Sequence, residues 1–203
     1  MLKLEKIIFP HMKSISLHLY EPGLYGIVGK NGIGKSTLFG VINGEVEVKE
    51  GMAEVGSVSY LPSTDIFDLN LTAGNYFSLL NAEETRKANV LLKKFQAESL
   101  LKLKLSKYSL GMLQLFAIIF MLSIDSDIVI MDEMSSGLDV AHKKVLFDLL
   151  NVEKQQRIVL YTSHNLEEVE KFCDKSYYLT EKGLQEILDF AAVKQELTEE
   201  GWE

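Results

Sequence analysis

The stretch Gly29-Lys30-Asn31-Gly32-Ile33-Gly34-Lys35-Ser36-Thr37 constrains this chain more than any other. It is a glycine, four free positions, then Gly-Lys-Ser, and such a loop needs a strand in front of it and a helix behind it. Residues 24–28, Leu-Tyr-Gly-Ile-Val, read as the buried strand, and residues 36–43 as the helix, closed by Gly44. The glycines let the backbone curl until successive N–H groups point at one centre, and the helix adds the positive end of its dipole. An anion belongs there. Lys35 can bridge outer phosphates, and the Ser36 hydroxyl can hold Mg²⁺.

Around this loop the pattern predicts an α/β chain. Residues 2–9 and 14–20 read as a hairpin, with Ile15, Leu17 and Leu19 alternating against Ser16 and His18. Strands are expected over 45–48 and 53–61, and helical segments over 72–80 and 83–95, followed by a Lys/Leu-rich connector over 100–107. Residues 63–107 are therefore expected to form a small helical subdomain inserted in one domain spanning 1–203. A helix over 110–123, a strand over 127–131, a helix over 140–150, a strand over 157–162, a helix over 166–172 and a strand over 175–180 follow. A final helix is expected from Leu184. This alternation implies a mostly parallel sheet covered by helices, with an antiparallel β part at the N-terminus.

Size and charge narrow the function. At 203 residues the chain is large enough for a real core. Its longest apolar run, Leu115 to Leu122, is far short of the roughly 20 residues that span a bilayer. That run reads first as core packing and second as a docking face. No secretory signal is visible in the first residues, so a cytoplasmic location is expected. The net charge of −8 argues against binding nucleic acid or anionic lipid. The one cysteine, Cys173, sits in an apolar helical stretch and reads as a buried small hydrophobe.

Two further features fit a nucleotide site. The apolar run Ile128-Val129-Ile130-Met131 ends in Asp132-Glu133, where Asp132 can hold Mg²⁺ and Glu133 can orient or deprotonate an attacking water. Tyr161-Thr162-Ser163-His164 places a histidine at the end of another buried strand. In a parallel sheet those ends open on one crevice, so His164 can reach a terminal phosphate.

The set resembles the nucleotide-binding subunit of ABC transporters over nearly the whole chain. Gly29 to Thr37 is similar to that family's Walker A, Ile128 to Asp132 to its Walker B, Glu133 to its catalytic glutamate, Ser136 to Asp139 to its D-loop and His164 to its switch histidine. Tyr108-Ser109-Leu110-Gly111-Met112-Leu113-Gln114 takes the place of the signature. The resemblance implies a P-loop ATPase of ABC type using ATP and Mg²⁺. It also implies an ATP-dependent homodimer, or pairing with a second ABC ATPase subunit, in which Ser109, Gly111 and Asp139 of one subunit close over nucleotide on the other. A separate membrane-spanning subunit would be driven by that cycle. A bacterial exporter at the inner face of the membrane is the expected setting.

Two positions depart from the family pattern. Leu110 stands where the signature has its first glycine, and Ser63 stands where a glutamine is usual. They motivate an alternative, a weakly hydrolytic ATP-binding regulatory or assembly module. Phe9 is the candidate for stacking on adenine, with a core role as the alternative. Phe67, Leu69 and Leu71 are candidates for a docking surface.

Overall fold

The computed structural model describes residues 1–9 and 13–199. Residues 1–60, 126–133 and 150–203 make one compact unit; 61–125 and 134–149 make a second. In chain order the elements are β1 (Leu2–Ile7), β2 (Ile15–Leu19), β3 (Gly23–Val28), α1 (Lys35–Ile42), β4 (Met52–Val55) and β5 (Val58–Tyr60). Then come α2 (Ala73–Phe77), α3 (Ala82–Lys94), α4 (Leu110–Ser123), β6 (Ile128–Asp132), α5 (Val140–Glu153) and β7 (Ile158–Thr162). The chain ends with α6 (Leu166–Phe172), β8 (Lys175–Thr180), β9 (Gly183–Glu186) and α7 (Phe190–Glu199).

The first unit holds two sheets. The larger runs β5-β6-β7-β3-β8-β9, parallel throughout except for the antiparallel β8–β9 pair. Strands β3 and β7 are buried at every position, and β6 at all but its last, as expected of strands covered on both faces. The smaller antiparallel sheet, β2-β1-β4, turns Ile15, Leu17 and Leu19 inward and Ser16 and His18 outward. Its inner face joins Ile27, Leu38, Phe39, Ile128 and Leu160 in one apolar core. The parallel strands thus bring the ends of β3, β6 and β7 to one edge.

Four expectations fail in this unit. Residues 45–48 form no strand: the N–H groups of Glu45 and Val46 donate to Gly40 O at 2.8 and 3.0 Å, winding the chain round the end of α1. The expected strand over 53–61 is two strands in two sheets. Between them a Cβ at Gly56 would overlap the Asp127 carboxylate, which accepts from the Ser57 N–H at 2.8 Å and hydroxyl at 2.9 Å. Leu184 lies in β9, opposite Leu179 of β8, after a turn that needs Gly183 at φ 107°. The final helix starts at Phe190, with Asp189 accepting from the N–H groups of Ala191 and Ala192. Cys173 ends α6 as its C-terminal cap instead of lying on a helix face.

The second unit is helical. Thr72 and Asn75 cap α2 reciprocally, as Asn81 and Glu84 cap α3, while Ser109 starts α4 by accepting from the Met112 N–H at 3.3 Å. Residues 98–107 form 3-10 turns tied to the chain before α2, with the Leu105 N–H bonded to Leu71 O at 2.9 Å. Phe116 of α4 packs against Phe67, Tyr76 and Phe77 with ring centroids 4.9–5.7 Å apart. Within 115–122 every residue but Phe120 is buried, so that run is core. Phe67 is core too, 5% exposed, which removes it from the docking candidates.

Candidate nucleotide site

Strand β3 delivers the chain into the loop at Gly29, where a Cβ would come within 2.8 Å of Leu179 O. Gly32 and Gly34 have φ of 76° and 113°, a region that strains any side chain-bearing residue. Lys30, Asn31 and Ile33 fill the loop between them. Lys35, the first residue of α1, donates from Nζ to Gly29 O at 2.7 Å and to Lys30 O at 3.1 Å. Ser36 and Thr37 follow, exposed in the first turn. Burial lowers the Lys35 ammonium below its usual range, and Glu133 and Asp132 pull it back up. The loop lysine thus lies within the field of both acids.

Those acids end β6. Asp132 is partly buried, and burial raises its carboxyl above the ordinary range, against hydrogen bonds from Thr162 Oγ1 at 2.8 Å and Tyr60 Oη at 3.4 Å. Glu133 adopts φ 54°, and its N–H donates to the same Thr162 oxygen at 2.9 Å. Its carboxylate lies 2.8 Å from His164 Nε2. The histidine's loop is braced from behind by Glu168, which accepts from Tyr161 Oη at 2.8 Å and Ser163 Oγ at 2.9 Å. The structure therefore brings Lys35, Asp132, Glu133 and His164 together. Sequence reasoning missed Tyr60 and Thr162. Thr162 pairs with Asp132 in the β6–β7 register, which the two strand sequences do not fix by themselves.

The signature and D-loop candidates and Ser63 belong to the second unit. Gly111 and Gly137 approach closely: a Cβ on Gly111 would lie 3.1 Å from Gly137 O, and one on Gly137 would overlap the Gln114 amide. Asp139 accepts from His142 N and from its Nδ1, both at 2.9 Å, and is held below the usual carboxylate range by those contacts. Leu110 is 73% exposed. The Ser63 hydroxyl accepts from the Asp65 N–H at 3.1 Å, capping a short turn. In the first unit Phe9 is 7% exposed and packed in the core, as its alternative reading had it.

The sequence profile of the ABC transporter family matches residues 12–136. This chain belongs to the ABC transporter family. An uncharacterised ABC transporter ATP-binding protein of Methanocaldococcus jannaschii is 28% identical over 173 residues, covering 81% of this chain and 66% of that protein. An arabinose import ATP-binding protein of Pseudomonas savastanoi is also 28% identical, over 82% of this chain but 39% of its own length. The chain thus spans two thirds or less of these relatives. Among solved structures, an ATP-binding subunit of an ABC transporter superposes with a TM-score of 0.83 at 21% identity, covering 98% of this chain and 94% of that one. A dimeric post-hydrolysis cassette bound to ADP and phosphate gives 0.76 at 21% identity, over 92% and 98%. The fold is that of ABC-type P-loop ATPases, and ATP is the family's nucleotide. The Ser36 hydroxyl and Asp132 carboxylate are hard oxygen donors of the kind Mg²⁺ takes alongside phosphates and water.

Proposed function

We propose that this chain is the ATP-binding and hydrolysing subunit of a transporter whose membrane-spanning part is a separate chain, in a bacterial exporter. The observation that carries it is the Glu133–His164 pair, 2.8 Å apart, on the sheet edge where the phosphate loop and Asp132 also lie. In this reading residues 29–37 hold the phosphates and Asp132 and Ser36 hold Mg²⁺. Glu133 takes the proton of the attacking water, and His164 orients Glu133 toward the γ-phosphate. Residues 1–203 act as one nucleotide-binding domain, with 63–107 as its helical subdomain.

Ser109, Gly111 and Asp139 then serve a second cassette, closing over its nucleotide. The post-hydrolysis dimer of the same fold supports such pairing. The membrane-spanning partner docks on the exposed apolar side chains of the second unit, Ile66, Leu69 and Leu71, at 61%, 46% and 40% exposure. That contact holds the chain at the inner face of the membrane. Among the described residues no helix is long and apolar enough to cross a membrane.

Leu110 favours a second reading, a weakly hydrolytic regulatory module, because its exposed side chain stands where close backbone approach to phosphate would be needed. Light scattering on Glu133→Gln, with and without Mg-ATP, separates the two. A dimer formed only with Mg-ATP supports the hydrolytic engine. A monomer that binds ATP at every concentration supports the module.

A further inference from the structure

We propose that Thr162 is a positioning residue for hydrolysis: its one hydroxyl sets both the metal-holding carboxylate and the main chain of the water-activating residue. The inference rests on the roles given to Asp132 and Glu133 above. Thr162 ends β7, is 1% exposed, and stands opposite Asp132 across the β6–β7 ladder. Its Oγ1 donates to Asp132 Oδ1 at 2.8 Å and accepts from the Glu133 N–H at 2.9 Å. A hydroxyl has one hydrogen and two lone pairs. Giving the hydrogen to an ionised Asp132 leaves a lone pair facing Glu133, so one atom makes both bonds at once.

The second bond has a particular task. Glu133 is a non-glycine residue at φ 54°, a conformation that persists only where its surroundings hold it. Thr162 Oγ1 is the acceptor for the N–H of that residue, and the resulting backbone turn presents the Glu133 carboxylate to His164. Displacing one oxygen therefore disturbs both acids together. A threonine in a buried strand needs no further reason than its branched shape, but shape alone is equally served by valine. Both partners of this hydroxyl are site residues, and valine can satisfy neither.

Thr162→Val and Thr162→Ser test the assignment, because the first keeps the shape and the second keeps the hydroxyl. Outer-shell partners of metal ligands typically matter 10–100-fold, so Thr162→Val should lower kcat for ATP by about that factor and weaken Mn²⁺ binding similarly. The Mn²⁺ titration is followed by EPR on protein loaded with a non-hydrolysable ATP analogue, and reads the site without turnover. Nucleotide affinity in EDTA should stay within about 3-fold of wild type, and Thr162→Ser should recover both kcat and Mn²⁺ affinity to within about 3-fold. Wild-type kcat and Mn²⁺ affinity in Thr162→Val would overturn the proposal. So would a Thr162→Ser variant whose kcat and Mn²⁺ affinity fall about 10-fold or more below wild type, a result that stands even if Thr162→Val does not fold. Absence of phosphate release from the wild type would count against the hydrolytic reading alone, since the Mn²⁺ comparison still decides the role of Thr162.

Discussion

At the scale of single residues, burial pushes the Cys173 thiol up to about 12, so native protein at pH 8 should alkylate with iodoacetamide far more slowly than urea-unfolded protein, as mass spectrometry would show. Asp127 is held below the usual carboxylate range by the Ser57 N–H and hydroxyl. A depressed folded value contributes stability above the unfolded pKa and loses it as pH falls through the folded one. The stability gap between wild type and Asp127→Asn should accordingly hold above about pH 5 and shrink as pH falls through about 4 and below, read by urea denaturation. The local runs Gly29 to Thr37 and Asp132-Glu133 are legible in the sequence, since each implies its geometry by spacing alone. Thr162 and Tyr60 are not, because their partner Asp132 comes from another strand and only register brings them to it.

At the scale of elements, α4 and α6 and strand β8 fall on their expected residues, because each has clear boundary signals and a settled period. The misses are short segments whose state is decided by a few specific hydrogen bonds and not by their own period. Leu184 to Glu186 carry no period that separates helix from strand, and pairing with β8 settles the matter. The expected strand over 53–61 breaks because Asp127 clamps Ser57, a contact seventy positions apart. The sequence alone does not separate docking from core at Phe67, since an apolar residue in a loop looks the same whether it faces a partner or a core. Its ring packs on Phe116 and Tyr76. Phe67→Ala should therefore cost about 3–5 kcal/mol of the second unit's stability, whereas Leu69→Ser should stay within about 0.5 kcal/mol. Thermal denaturation of the two variants distinguishes them. Equal, small losses would place Phe67 back at the surface. Removing the α3 cap by Asn81→Ala should cost about 1 kcal/mol in the same assay.

At the scale of the whole molecule, the proposed function divides between the two units. The first holds the phosphate loop, Asp132 and the Glu133–His164 pair. The second carries Ser109, Gly111 and Asp139 and exposed apolar side chains. Under that proposal cargo and direction belong to the separate membrane-spanning chain, and the likeness to an arabinose import protein is compatible with it. The central claim, that Glu133 drives hydrolysis of bound ATP, is tested most directly by phosphate release from wild type and Glu133→Gln at saturating Mg-ATP, with nucleotide affinity measured on both. The account predicts turnover lowered by about 10²–10⁴-fold with ATP affinity essentially kept. An unchanged rate in Glu133→Gln would contradict it.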